Sequence, residues 1–126
     1  MTLLIDTHVL VWIGEGNPRL RQSVRDRLFD PDEALCISAV TAFEYADLRH
    51  RGRLPQSAAL EELQDQLQLS LIDYPSALWP LAPTLPPIHR DPVDRMLVAH
   101  AIALEMPLVT ADANIARYPG LEVIWE

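Results

Sequence analysis

Five short apolar runs, each set off by a helical pattern, constrain this chain more than any other feature. They read "LLID" (3–6), "ALCIS" (34–38), "SLIDY" (70–74), "PLVTAD" (107–112) and "EVIWE" (122–126). Each is too short for a stable helix. Their cores lack the in–out alternation of a strand with one wet face, so they read as strands buried on both sides. Between them lie helical stretches: "THVLVWIG" (7–14), closed by Gly14 and Gly16; "LRQSVRDRLFD" (20–30), with apolar residues at 20, 24 and 28; and "AVTAFEYADLRHRG" (39–52), ending in arginines and Gly52. "SAALEELQDQLQL" (57–69) repeats leucines at 60, 63 and 67, an amphipathic helix. "SALWPLAPTLPPIHR" (76–90) reads as a short helix broken by prolines and then a loop, "PVDRMLVAHAIALE" (92–105) as a strong helix, and "ANIARY" (113–118) as a short one. Strands alternating with helices predict an α/β/α domain of three layers around a central, mainly parallel sheet of four to five strands. Strand order is not readable from this pattern.

The 126 residues make one domain, 1–126, large enough for a single core. No apolar run approaches the ~20 residues of a membrane span. The first sixteen residues carry no basic segment and place Asp6 inside their apolar stretch, which argues against a secretory leader. The single Cys36 has no internal partner and falls in a buried strand, which fits a reduced, cytoplasmic setting.

In open parallel sheets, sites form beyond the carboxyl ends of the strands, and that rule sorts the 18 acids. Asp6 ends the first strand. Glu44 sits about two turns into the helix that leaves the second. Asp91 and Asp94 open the helix that feeds the fourth, and Asp112 follows that strand in "TAD". Each acid also has a purely architectural account. Asp6 or Thr7 can cap the first helix, "TAFE" (41–44) matches a capping box, and Asp112 can cap "ANIARY". Asp91-Pro92 reads as an N-cap followed by proline at the first helical position. Asp94 at the third position favours the positive end of the helix dipole. Taken together the four stations would repel one another unless a cation sat among them, and an all-oxygen set suits Mg²⁺ or Mn²⁺, not zinc.

Several enzyme classes are excluded by what is missing. The net charge is −8 and all ten basic side chains are arginines. A phosphoacceptor signalling domain needs a lysine, and there is none. A haloacid-dehalogenase-type phosphatase needs Asp-x-Asp at the first strand, where this chain has Asp6-Thr7-His8. "GEGNPR" breaks the glycine spacing of a phosphate loop, and no G-x-S-x-G elbow occurs. The acidic balance argues against a general polyanion-binding surface, although a bound divalent metal supplies positive charge locally.

"LLIDTHVLVW", "ISAVTAFEYA", "HRDPVDRMLVAHA" and "LVTAD" resemble, in order and over nearly the whole chain, the successive blocks of PIN-domain ribonucleases. The resemblance is to the VapC-type toxins of bacterial toxin–antitoxin modules. It implies a PIN-like fold and an acidic pocket that binds Mg²⁺ or Mn²⁺ and cuts single-stranded RNA, leaving a 5′-phosphate. It further implies a cognate antitoxin and a homodimer. The family's acids fall on Asp6, Glu44, Asp94 and Asp112, with Asp6, Asp94 and Asp112 as principal metal ligands and Glu44 acting through water. Asp91 is a feature of one branch and a possible additional ligand. Thr7, Ser38 and Thr110 fall where relatives place small supporting hydroxyls. Phe43 stands where relatives of this branch often have tryptophan, a difference expected to affect packing and not chemistry. The alternative is a catalytically silent PIN scaffold that binds protein or RNA.

Arg49, Arg51 and Arg53 form the best basic cluster. They are candidates for RNA phosphates or an acidic antitoxin segment, and equally for simple complementarity to a helix C-terminus. Arg90 and Arg95 read as supports for the acidic edge, one of them pairing with a pocket carboxylate. His8, His50, His89 and His100 show no metal spacing. His8 and His89 lie near the acids and are expected to hold hydrogen bonds. Trp12, Trp79 and Trp125 are expected in packing or interfaces, with base stacking as an alternative for Trp12.

Overall fold

The computed structural model describes residues 1–54 and 58–125. Its sheet has five parallel strands: β1 (Thr2–Ile5), β2 (Ala34–Ser38), β3 (Ser70–Ile72), β4 (Leu108–Val109) and β5 (Val123–Ile124), in the order β3-β2-β1-β4-β5. Six α-helices fill the connections: α1 (Thr7–Glu15), α2 (Gln22–Leu28), α3 (Ala39–His50), α4 (Leu60–Leu67), α5 (Leu81–Thr84) and α6 (Pro92–Leu104). Short 3₁₀ turns occupy Ser76–Leu78 and Ile115–Arg117. The expected α/β class, the parallel sheet and the order of elements all stand. Most elements are shorter than their sequence patterns. The fourth strand ends at Val109 because the Thr110 and Asp112 that follow it turn to hydrogen bonds of their own. The expected start of the 57–69 helix and the end of the 122–126 strand fall on residues 57 and 126, outside the described residues.

The strand order follows from the connections. Each parallel crossover is right-handed, so chain moving outward from β1 through β2 to β3 lays its helices on one face. The return to β4, on the other side of β1, lays α6 on the opposite face. Alternate residues of each strand serve the two sides. Leu3, Ile5, Leu35, Ile37 and Val109 pack with Val9, Leu10, Val24, Tyr45 and Leu63 from α1 to α4. Leu4, Cys36 and Leu108 pack with Leu97, Val98 and Ala101 of α6 and with Ile115 and Tyr118. Full burial of each such aliphatic side chain is worth ~1.5–3 kcal/mol. The Tyr45 hydroxyl, carried into the core, is satisfied by the carbonyl of Ala58 at 2.7 Å. Among the described residues no helix is long and apolar enough to cross a membrane.

The chain's direction of winding reverses between β1 and β4, and splayed connections leave a crevice at such a point. Asp6 leaves β1 there and Asp112 follows β4 there.

Candidate active site

Asp6 is the N-cap of α1. Its Oδ1 accepts the His8 backbone N–H at 3.2 Å, and its side chain is almost fully buried, only 4% of the residue being exposed. Its Oδ2 accepts the Thr110 hydroxyl at 2.5 Å, and that hydroxyl oxygen in turn accepts the backbone N–H of Asp112 at 3.1 Å. Thr110 therefore ties the ends of β1 and β4 together. Burial pushes the Asp6 carboxyl above its usual range. The Thr110 and His8 hydrogen bonds oppose that shift, and the Asp112 charge adds to it.

α6 opens as its sequence dictates. Asp91 is the N-cap, accepting the Val93 N–H at 2.9 Å, Pro92 follows at the first helical position, and Asp94 stands in the first turn. Burial drives the Asp94 carboxyl up to about 7, with further upward pressure from Asp6, Asp91 and Glu44, against a lowering influence from His89. A half-buried carboxylate among other carboxylates is in an environment that a bound cation would relieve.

His89 stands between two of these acids. Its Nε2 lies 3.0 Å from Asp112 Oδ2 and 3.2 Å from Asp94 Oδ2, and its Nδ1 accepts the Asp91 N–H at 3.1 Å. The described residues thus contain one tight group of possible ligand atoms, His89, Asp94 and Asp112, all within 4.8 Å of one another. A cleft of about 250 Å³ opens onto Asp6, His8, Trp12, Asp94, Ala111 and Asp112. Glu44, half-buried on α3, acts on Asp94 through its charge and lies outside the tight group. Asp91 is likewise outside it, with Oδ1 committed to the helix cap. Asp112 does double duty: its Oδ1 accepts the Asn114 N–H at 2.8 Å, capping the turn that follows, while Oδ2 faces His89. The donor set of carboxylates around one crevice fits a hard divalent cation.

Other expectations are corrected. The predicted capping box at Thr41–Glu44 does not form, because α3 begins three residues earlier with Ser38 as its cap. Thr41 lies inside the helix with a buried hydroxyl that has no partner among the described residues. The Ser38 hydroxyl supports the edge indirectly: it accepts the Val40 N–H and sits 2.9 Å from Nδ1 of the buried His100, whose basicity burial lowers. Thr7 is buried at the first position of α1. Phe43 is 65% exposed, so it does not alter core packing as expected. Arg95 pairs with no carboxylate among the described residues. Its guanidinium takes the carbonyls of Ala82, Pro83, Leu85, Pro86 and His89 at 2.8–3.3 Å, closing the proline-rich loop that carries His89. The signal was present in the sequence: prolines 80, 83, 86 and 87 cannot donate, so the loop's carbonyls need an outside donor.

Arg49, Arg51 and Arg53 lie exposed at the far end of α3, with Arg51 paired to Asp47 at 3.1 Å. Seven residues of helix separate Glu44 from Arg51, roughly 10 Å of rise, so the cluster stands apart from the acids. Trp12 lines the acidic cleft and packs against Trp125, ring centroids 5.7 Å apart, with the Arg19 guanidinium over the Trp12 ring, 5.9 Å from its centroid. Trp79 is 77% exposed and lines an apolar groove with Tyr74, Leu78 and Met96.

A family model described as PIN domain matches residues 3–121. Among solved structures, the chain is similar to one in the VapBC2 complex of Rickettsia felis bound to a promoter DNA fragment, at 21% identity over 100% of both chains and a TM-score of 0.68. It is similar to one in DNA-bound VapBC of Salmonella typhimurium at 20% identity, covering 98% of this chain and 97% of that one, with a TM-score of 0.66. A chain of VapBC-1 from nontypeable Haemophilus influenzae aligns at 20% identity over 98% and 97% of the two chains, with a TM-score of 0.58. Among curated proteins none matches the chain.

Proposed function

The chain belongs to the PIN domain family, and from that premise we propose that it is a metal-dependent endoribonuclease of the VapC toxin type. Its substrate is single-stranded RNA, its cofactor Mg²⁺ or Mn²⁺, and its regulator a cognate antitoxin that silences it. The observation that carries this reading is the meeting of Asp6, Asp94 and Asp112 at the sheet's switch point, where burial and the neighbouring carboxylates push Asp94 up to about 7. The VapBC complexes among the structural neighbours support the antitoxin and the toxin class.

Asp6, Asp94 and Asp112 would hold the cation in this reading, and Glu44 would orient the attacking water. When bound, the cation would supply a water of lowered pKa and polarisation of the phosphoryl oxygen. The chain's own residues prepare the site. Thr110 and the His8 N–H aim Asp6, the Asn114 N–H and Thr110 fix the Asp112 segment, and the first turn of α6 delivers Asp94 rigidly. Trp12, at the lip of the cleft, offers an aromatic edge to a base, and Arg49, Arg51 and Arg53 are further along α3 for RNA phosphates or the antitoxin. The expected assembly is a homodimer.

The test is cleavage of a mixed RNA pool by purified protein with Mg²⁺ or Mn²⁺, with chelator, and with Asp94→Asn. Cutting that needs the metal and disappears in the variant supports the assignment. Equal cutting by Asp94→Asn, or none by the wild type under any metal, returns the chain to the silent-scaffold reading.

A further inference from the structure

His89 belongs to none of the four acid stations, yet one ring nitrogen lies within hydrogen-bond distance of two of them. Its hydrogen bonds fix where its proton sits. The Asp91 backbone N–H points at Nδ1, so Nδ1 offers a lone pair and the ring proton is on Nε2. That Nε2–H is then shared between Asp112 Oδ2 at 3.0 Å and Asp94 Oδ2 at 3.2 Å. A ring in this tautomer faces the carboxylates with a hydrogen and not with a lone pair, so it cannot be a metal ligand in this arrangement. It does what a cation would do there: it places positive charge density between two oxygens that otherwise repel.

We propose that His89, bridging Asp94 and Asp112, competes with a cation for their Oδ2 atoms and withdraws from them when metal binds. The inference rests on the metal-dependent reading above. The surroundings permit the exchange. The His89 backbone is pinned, its N–H given to the Tyr118 hydroxyl at 3.0 Å and its carbonyl to Arg95 at 3.2 Å. Among the described residues the ring is held by the Asp91 N–H and the two acids, and it is only partly buried, so a side-chain rotation would free it while the backbone stays pinned. His89 is thus a positioning residue that competes with the metal it prepares for.

The competition has a sign that distinguishes it from ligation. Calorimetric titration of the full chain with Mg²⁺ and Mn²⁺ is expected to give about tenfold tighter binding for His89→Ala, the factor that corresponds to losing one hydrogen bond to a charged group. His89→Gln, which keeps an N–H donor, is expected to stay near the wild type. Because His89→Ala exposes the metal-free acids to one another and is at risk of not folding, the wild type carries a second measurement. Nitrogen-15 spectra of its histidines are expected to show the Nε2–H tautomer for His89 without metal, and loss of that hydrogen-bonded signature as Mg²⁺ saturates the site. Weaker binding by His89→Ala, or Nε2 deprotonated and metal-bound in the spectrum, makes His89 a ligand and overturns the proposal. Unchanged affinity with an unchanged His89 spectrum makes it a bystander and overturns it as well. If neither protein binds metal, the nuclease reading fails and this one with it; tight binding without the His89 effect removes this one alone.

Discussion

The Thr110 hydroxyl donates to Oδ2 of Asp6 at 2.5 Å across a sequence separation of 104 residues. It is the direct link between the first and last acids, because the same oxygen accepts the Asp112 N–H. Thr110→Val keeps the shape and removes both bonds. Leaving a buried carboxylate short of its donor is expected to cost ~1–3 kcal/mol, read as a lower denaturant midpoint at pH 8. RNA cutting is expected to fall at least tenfold, since Asp6 loses its aim. A stability unchanged within error would show that Thr110 does not hold Asp6 as described.

Asp94 sets the pH dependence of the metal-free protein. Its folded carboxyl, raised to about 7 by burial first and by Asp6, Asp91 and Glu44 next, binds a proton more tightly than in the unfolded chain. Between pH 4 and 7 the native state therefore holds more protons, and stability falls as pH rises through that window. Asp6, also raised, adds to the same slope. Urea denaturation in chelator at several pH values is expected to show this decline, and Asp94→Asn to flatten most of it while raising the midpoint at pH 8. A stability that climbs from pH 5 to 7 would contradict the environment assigned to Asp94.

Metal should reverse that penalty. A cation that binds the native acids and not the unfolded chain stabilises by mass action, ~2.7 kcal/mol at a hundredfold excess over its Kd. Millimolar Mn²⁺ at pH 8 is expected to raise Tm by several degrees and to abolish the pH slope, with chelator restoring both. Asp94→Asn is expected to show a much smaller rise. An equal rise in the variant would place the binding elsewhere.

Arg95 closes the loop that carries His89. Replacement by lysine supplies one ammonium where a planar fork now meets five carbonyls. Arg95→Lys is expected to lose ~1–3 kcal/mol of stability and to raise amide exchange across residues 82–91, while α3 stays protected. Uniform exchange across the molecule would deny the loop its dependence on Arg95.

Much of this was legible in the residues because strand ends and helix starts write local signals. Asp91-Pro92 announces a helix start on its own, and the apolar run of β1 followed by Asp6 announces a strand meeting a cap. What one stretch cannot announce is which distant group completes it. The Ser38 cap and the failed box at Thr41 differ by three residues of helix, a choice made by the Ser38–His100 pairing across the fold. His89's bridge depends on a loop whose shape is set by Arg95, and no periodicity reports that. The distance of Arg49, Arg51 and Arg53 from the acids follows from the length of α3, which sequence measures, and from its direction, which only the strand order supplies.

The switch point has a consequence in time. Asp6, Glu44, Asp94 and Asp112 each ride a different connection of the sheet, and the last two lie in the final third of the chain. Such non-local pairings are late and slow to form. A nascent chain still attached at its hundredth residue would carry a finished β1, β2 and β3 but no β4 to seat Asp112 or to donate Thr110 to Asp6. A partial copy that stops short of β4 therefore cannot close the cleft, because it holds neither the Thr110 that aims Asp6 nor the Asp112 that faces Asp94.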